Sequence, residues 1–370
     1  MSARLPAAGG DARLANIDAL RGLAALLVVW LHTSEVFVRL PAVAAHGTGF
    51  ADAAEFLQIG RAGVVAFFAI SGFVITPTLK PPRNAGTRAF LIKRFFRLYP
   101  PFWLALCLSY LCIWLPEGRT PGIGGVLANA TMVPTWFGQP AAVGHFWTLE
   151  IELIFYLLVV FLFWNGWLHR RGVLLALIVL LFPQVTAVLA AKLASDPGGF
   201  QSHWGIVPYS LAVMLWASLL REGYDANAGW SDTLKHWLRD PVVLIATLLV
   251  IGRAAFPGKF WVNGLADYFA HRGTLWGLLL FIAFAAARFP WPRAIVWTGT
   301  VSYSVYLLHP VVFYPLYYWV ASHDQSLARL PVIAYAAATT VLVLALSSLT
   351  YVALERPCNE LARRIVRRLR

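Results

Sequence analysis

Residues 17–38 read IDALRGLAALLVVWLHTSEVFV and form the first of a series of long apolar stretches. A bilayer core about 30 Å thick needs roughly 20 mostly apolar residues per helix, and this stretch has that length. It is too long for the apolar region of a secretory signal peptide, and no small-residue cleavage site follows it. We therefore expect it to remain in the protein as a membrane-spanning helix.

The composition of the whole chain points the same way. Of its 370 residues, 59% are hydrophobic and only 13% are charged, and the mean hydropathy is +0.66. Soluble domains carry about 25% charged residues, so this composition excludes a soluble enzyme, a disordered protein and a disulfide scaffold. The three cysteines have no metal-ligand spacing, and we expect neither a disulfide nor a zinc site.

The length criterion, applied along the chain, predicts an all-α, polytopic membrane protein with about ten transmembrane helices. Residues 1–16 are expected to be a cytoplasmic segment, 17–357 the transmembrane domain and 358–370 a basic cytoplasmic tail. The ten expected spans are 17–38, 61–79, 99–115, 145–165, 172–191, 204–220, 241–257, 273–288, 295–320 and 331–354.

The distribution of positive charge predicts the orientation. With the N-terminus inside, 21 Lys and Arg residues fall in inside segments and 8 in outside segments. Short cytoplasmic loops carry such an excess, so both termini are expected in the cytoplasm. Membrane topology thus explains the net charge of +13, and we expect no nucleic-acid partner.

Ionisable side chains inside a span cost several kcal/mol, about 2.5 to 3.5 on insertion scales, and mark functional sites by default. At a rise of 1.5 Å per residue, His32 and His309 both lie about 21 Å from the cytoplasmic boundary. Glu152, about 10 Å from the outer boundary, falls at nearly the same depth. These three residues are predicted to share one layer, with Ser302 and Tyr306 on the same helix face as His309.

Other interpretations remain open for several of these residues. Arg21 is equally consistent with an interfacial anchor paired with Asp18, and Ser302 with a hydrogen bond between helices. Glu150 and Glu152 point in roughly opposite directions on a helix, and Glu150 is expected to reach water at the boundary. Glu35 could orient His32 from the same helix face, although a solvated carboxylate is the simpler interpretation.

The segment LKPPRNAGTRAFLIKRFFRLYPPFW, residues 79–103, is the most cationic region outside the tail. Its Arg94 and Arg97 are three residues apart, so they project from one side of a helix and can bind phosphate. Lys93 and Arg88 lie close by in sequence. Taken alone, the cluster is also typical of ordinary positive charge on an interfacial helix.

Together these residues resemble the acyltransferase 3 family of integral membrane O-acyltransferases. The resemblance runs from residue 17 to residue 357 and rests on five motifs in order, followed by a closing tripeptide. They are Arg21 and His32 with ten residues between them, FFAISGF at 67–73, Arg94 and Arg97 in KRFFRLYP, FWTLEIELIFY at 146–156 with the family's glutamate at Glu152, SYSVYLLHP at 302–310, and ERP at 355–357.

The resemblance implies that an acyl group, acetyl by default, passes from cytoplasmic acyl-CoA to a hydroxyl group. The acceptor would be a bacterial glycan, a lipid-linked saccharide or a small hydroxylated molecule, and the location the bacterial cytoplasmic (inner) membrane. Arg21, Arg94, Arg97, Lys93 and Arg88 would bind CoA. His32 would be the general base, oriented by Glu152, with His309 in the same layer and Ser302 or Tyr306 stabilising the oxyanion.

A secondary transporter or flippase for a polar solute is the rival interpretation, because it would also place His, Glu and Arg inside a helix bundle. The sequence shows no inverted internal repeat of the kind that is common in such transporters. No metal is expected in either case.

Overall fold

The computed structural model describes residues 14–182, 206–226, 230–255, 272–287, 289–323 and 327–369. Within these ranges all regular secondary structure is helical, and five helices are long and apolar enough to cross a membrane. The all-α class is thereby confirmed, and the five long apolar helices are consistent with a membrane protein. The count of ten spans and the orientation of the termini stay predictions.

Twelve longer helices make up the described chain. They are α1 (Ala15–Phe37), α2 (Ile59–Ile75), α3 (Arg83–Trp114), α4 (Trp147–Trp164), α5 (Arg171–Phe182), α6 (Val207–Ala226), α7 (Trp230–Arg239), α8 (Pro241–Ala255), α9 (Arg272–Ala286), α10 (Arg293–Thr300), α11 (Ser302–His323) and α12 (Val332–Arg368). Short helices at Pro41–Ala44, Gly49–Leu57 and Ile123–Ala130 lie in the connections.

Helix α1 contacts α2, α10, α11 and α12 and so joins the two ends of the sequence. Glycines permit these close approaches, as is common between helices in membranes. A Cβ atom on Gly299 of α10 would lie 1.8 Å from the carbonyl oxygen of Asp18, and one on Gly63 of α2 would lie 2.5 Å from that of Ala24. The backbone of α1 is therefore held closely on two sides, which fixes the positions of the side chains that it presents.

Four predicted spans differ from the structure in their limits. The sixth was expected at 204–220, but α6 continues to Ala226. The third was expected at 99–115, but α3 begins at Arg83, so the basic cluster lies on the same helix as the span. The ninth was expected as one helix over 295–320, but α10 and α11 are separate, and the Ser302 hydroxyl donates to the Gly299 carbonyl where they meet (2.8 Å).

The tenth span was expected to end at 354, whereas α12 continues to Arg368. The segment expected as a separate tail after residue 357 is therefore helical through Arg368, and it packs on α3 with Ala362 and Val366 buried. A single π-helical turn, Tyr351–Glu355, lies between the two α-helical parts. Of the other predicted spans, residues 183–191 of the fifth, 204–205 of the sixth, 256–257 of the seventh and 288 of the eighth lie outside the described residues.

Candidate active site

A cavity with a volume of about 80 Å³ lies among α1, α2, α3, α4 and α11. Its lining combines apolar rings with charged and hydroxyl-bearing side chains. The ionisable and hydroxyl-bearing members are Arg21, Ser71, Arg97, Thr148, Glu152, Ser302, Tyr303 and Tyr306. Five of the predicted site residues, Arg21, Arg97, Glu152, Ser302 and Tyr306, are thus brought together around one space.

The two arginines of the cavity come from different helices. Arg21 of α1 is paired with Asp18 (3.4 Å), and it also lines the cavity. Arg97 of α3 lines the same space, and the Tyr303 hydroxyl donates to the neighbouring Leu98 carbonyl (2.9 Å). This hydrogen bond joins α11 to α3 beside the arginine.

The other predicted phosphate-binding residues lie outside the cavity wall. The Arg94 guanidinium lies over the rings of Phe90 and Tyr156, 5.3 and 5.4 Å from their centroids. Lys93 and Arg88 are exposed on α3. Arg94 therefore adjoins the cavity through Tyr156, whereas Lys93 and Arg88 are not part of the cavity lining.

Glu152 occupies a position that differs from the predicted one. It accepts a hydrogen bond from the Tyr156 hydroxyl and lines the cavity with Arg21 and Arg97. The sequence placed Glu152 level with His32, but the histidines gather at the beginning of α4, and Glu152 lies about 10 Å further along that helix. Its carboxylate therefore belongs to the part of the site that contains the arginines.

Three histidine rings form a cluster next to the cavity. The ring centroids of His32 and His309 are 5.5 Å apart, those of His145 and His309 4.6 Å, and those of His32 and His145 6.3 Å. The sequence analysis predicted the first pair and missed His145. His145 comes immediately before the FWTLEIE motif, and this position in the sequence could have identified it. In the structure its ring lies beside that of His309.

Hydrogen bonds fix which ring nitrogen of His309 carries the hydrogen. His309 Nδ1 lies 2.7 Å from the carbonyl oxygen of Tyr306, which can only accept, so Nδ1 is the donor. In the neutral ring, Nε2 then carries the lone pair. The Nε2 atoms of both His309 and His145 are buried and have no hydrogen-bond partner among the described residues.

His32 is paired with Glu35 and not with Glu152. Its Nδ1 lies 3.0 Å from Glu35 Oε2, and the two side chains are 33% and 49% exposed. The pairing follows from the spacing of three residues on one helix face. A carboxylate at Nδ1 holds the hydrogen there and leaves Nε2 as the basic atom. Glu35 is therefore the orienting carboxylate that the sequence analysis assigned to Glu152.

Both hydroxyls proposed as oxyanion donors are engaged by backbone carbonyls. The Ser302 hydroxyl donates to Gly299 as described above, and the Tyr306 hydroxyl donates to the carbonyl of His145 (2.7 Å). Thr148 Oγ lies 2.7 Å from the same Tyr306 hydroxyl. The Thr148 and Tyr306 hydroxyls thus form the part of the cavity wall that adjoins the histidine cluster.

Two further carboxylates are buried. Glu150, expected to reach water, is 1% exposed and accepts from the Thr135 hydroxyl (2.8 and 3.0 Å) because the turn at Pro134–Phe137 covers it. Glu355 of the ERP motif lies in the π-helical turn and accepts from the Ser304 hydroxyl. Such turns often occur at functional sites, and this one turns Glu355 toward α11.

The described residues contain no group of three His, Cys, Asp or Glu side chains arranged to hold a metal ion. The three cysteines, Cys107, Cys112 and Cys358, are unpaired thiols, as expected.

The sequence around this site matches a known protein family. The acyltransferase-domain model of the acyltransferase 3 family matches residues 14–352. The chain belongs to this family. The match includes every residue of the cavity and of the histidine cluster.

Relatives of the chain come from several bacteria. Nodulation protein 10 of Rhizobium leguminosarum bv. viciae is 25% identical over 338 residues, which cover 81% of this chain and 83% of that protein. YrhL of Bacillus subtilis is 26% identical over 294 residues, 68% of this chain and 44% of the relative. The peptidoglycan O-acetyltransferase OatA of Listeria monocytogenes is 27% identical over 172 residues, 40% of this chain and 25% of the relative. This chain thus spans less than half of the Bacillus and Listeria proteins, and no solved structure matches it significantly.

Proposed function

We propose that this acyltransferase moves an acyl group, acetyl by default, from cytoplasmic acyl-CoA to a hydroxyl group of a bacterial glycan, a glycolipid or a small hydroxylated acceptor. The observation that carries the proposal is the cavity, which extends from Arg21 and Arg97 to the Thr148 and Tyr306 hydroxyls beside three histidines. A thioester that carries an anionic nucleotide at one end has a charge that suits the arginines of this space.

The donor would enter with its phosphates on the basic part of α3. Arg97 and Arg21 would hold the pyrophosphate, since guanidinium groups bind phosphate bidentately, and Arg94 would add charge next to them. Lys93 and Arg88, exposed on the same helix, would bind the outer phosphate of the nucleotide. Glu152 accepts a hydrogen bond from the Tyr156 hydroxyl. Its carboxylate would hold the two guanidinium groups in place when no donor is bound.

In the transfer step, His32 would act as the general base. Its Nε2 would take the proton from the acceptor hydroxyl while Glu35 stabilises the resulting imidazolium. The acceptor oxygen forms a bond to the acyl carbon, the bond from carbon to sulfur breaks, and the proton finally passes to the CoA sulfur. His309, stacked on His32, would accept a hydrogen at Nε2 from the acceptor or from water.

This account rests on the orientation predicted from the positive charges, with α3 and the end of α12 facing the cytoplasm. His32 and Glu35 then lie toward the outside, where an exported glycan is available. The location would be the bacterial cytoplasmic (inner) membrane, with membrane lipid around the bundle.

Binding of acetyl-CoA distinguishes this function from solute transport. Purified protein in nanodiscs, titrated with acetyl-CoA in a calorimeter, should bind it, and CoA without the acetyl group should compete. A transporter or flippase for an unrelated polar solute would bind neither molecule, and the absence of binding by folded protein would contradict the proposal.

A further inference from the structure

Beyond the histidine cluster, at the end of the bundle away from Arg97, lies a group of polar and aromatic side chains of which the proposed function uses only Glu35. We call it the far-end rim and define it by five residues. They are Glu35 of α1, Glu117 and Arg119 of the connection after α3, and Tyr314 and Tyr318 of α11.

The rim is continuous with the candidate active site through ring contacts along α11. The centroids of His309 and Phe313 are 5.8 Å apart, those of Phe313 and Tyr314 4.7 Å, and those of Tyr314 and Tyr318 6.0 Å. Tyr318 is nine residues after His309, about 14 Å along a helix. Glu35 of the rim is paired with His32, so a molecule seated on the rim would lie next to the His32 ring.

The polar groups of the rim are held in place and remain accessible. The Tyr318 hydroxyl donates to Glu117 Oε1 (2.8 Å), and Arg119 donates to Glu117 Oε2 (3.0 Å) while lying 4.0 Å over the Trp114 ring. The side chains of Glu117 and Arg119 are 31% and 49% exposed. A carboxylate has about four acceptor sites, so these two bonds leave Glu117 able to accept hydrogen bonds from a ligand.

The charge of the rim selects the class of ligand. Glu35, Glu117, Arg39 and Arg119 all interact electrostatically with the Tyr314 phenol, two acidic groups balanced by two basic ones. This balance does not favour an anion such as a phosphate. The stacked Tyr314 and Tyr318 rings, inclined at 28°, are suited to the C–H face of a sugar ring, and the carboxylates are suited to its hydroxyls.

We infer that the far-end rim binds an uncharged saccharide unit of the acceptor and presents one of its hydroxyl groups to His32. The inference rests on the proposed function, since it names the class of acceptor and the residues that recognise it. The saccharide would stack on Tyr314 and Tyr318 and donate hydroxyl hydrogens to Glu117 and Glu35. Arg119 would hold Glu117 in position.

The test uses the full chain in nanodiscs, acetyl-CoA, and four soluble probes as acceptors. The probes are the β-1,4-linked tetrasaccharide of N-acetylglucosamine, cellotetraose, maltotetraose and glycerol, the last being a polyol without a ring. Glu117→Gln and Tyr318→Phe are compared with wild type. Asp52→Asn is the matched control, because Thr48 donates to Asp52 (2.8 Å) in the same kind of pair outside the rim.

We expect at least one tetrasaccharide to be acetylated with a kcat/KM at least tenfold above that of glycerol. The KM for that saccharide should rise about tenfold in Glu117→Gln and in Tyr318→Phe, with kcat changed less than twofold, and stay unchanged in Asp52→Asn. The thermal unfolding midpoint of all variants should match that of wild type.

Three results would overturn the inference. If wild type releases CoA but prefers glycerol or acetylates no saccharide, the rim is not a saccharide site, although the donor half of the proposed function stands. An unchanged KM in both rim variants would exclude recognition by these residues. If both rim variants lost kcat and thermal stability together, the rim would only stabilise the connection after α3. Absence of any CoA release would instead contradict the proposed function itself.

Discussion

The imidazole rings of His32 and His309 are stacked, with centroids 5.5 Å apart and planes inclined at 16°. This contact joins the first apolar helix to one near the end of the chain, and the close approach of α1 to α10 supports it. Glu35 orients the first ring and the Tyr306 carbonyl orients the second, so both present Nε2 as a proton acceptor.

Removing the charge at Glu35 should slow acyl transfer. We expect Glu35→Gln to lower kcat by about tenfold or more, because a neutral amide stabilises the His32 imidazolium less than a carboxylate does. Glu55→Gln, an exposed acidic residue in the connection after α1, should keep wild-type kcat. Steady-state CoA release measures kcat for both variants. Equal rates for Glu35→Gln and wild type would show that the pairing of Glu35 with His32 does not contribute to acyl transfer.

The basic part of α3 should recognise the nucleotide of the donor. We expect the double substitution Arg94→Ala, Arg97→Ala to raise the KM for acetyl-CoA by about tenfold or more, since charge-assisted hydrogen bonds contribute about 1.5–3 kcal/mol. The KM for acetyl-pantetheine, which lacks the nucleotide, should not change. Arg170→Ala removes an exposed cation elsewhere and serves as the control. An equal rise in KM for both donors would show that the two arginines support the folded structure and do not bind the nucleotide.

The contact of α1 with α10 should be sensitive to a single methyl group. Gly299→Ala places a Cβ atom 1.8 Å from the Asp18 carbonyl oxygen, so the backbones must separate, at a cost of about 1–3 kcal/mol. Gly172→Ala, where a Cβ atom meets nothing within 4 Å, should leave stability within about 1 kcal/mol of wild type. Thermal unfolding in detergent compares the two. A Gly299→Ala protein as stable as Gly172→Ala would show that the helices do not approach this closely.

The buried pair of Ser304 and Glu355 should stabilise the contact between α11 and α12. We expect Ser304→Ala to lower the free energy of unfolding by about 1–3 kcal/mol, because it removes a donor from a carboxylate that is 4% exposed. Ser304→Thr, which keeps the hydroxyl, should recover part of this loss. Similar unfolding midpoints for wild type and Ser304→Ala would mean that Glu355 has other sufficient partners.

Depth along a helix could be predicted from the sequence for residues deep within a span. Counting 1.5 Å per residue correctly brought His32 and His309 to one level. The same count placed Glu152 too close to them, because it depends on where α4 begins in the bilayer, and sequence fixes that boundary only to about one turn. His145 lies at that boundary, which explains why it was missed.

Other features depend on packing that a single sequence does not display. The π-helical turn that holds Glu355 and the break between α10 and α11 occur where these elements pack against helices distant in sequence. The pairing of His32 with Glu35, by contrast, follows from their spacing of three residues and was available as an alternative. Local sequence patterns thus predicted contacts within one helix better than contacts between two helices.

Release of CoA from acetyl-CoA, with and without added acceptor, tests the central claim most directly. Purified wild type in nanodiscs should release CoA slowly, faster when an acceptor is present, and His32→Ala should lose this activity while retaining acetyl-CoA binding. Undiminished release by His32→Ala would contradict the assignment of the base. Folded wild type that neither bound acetyl-CoA nor released CoA would contradict the use of acyl-CoA as the donor.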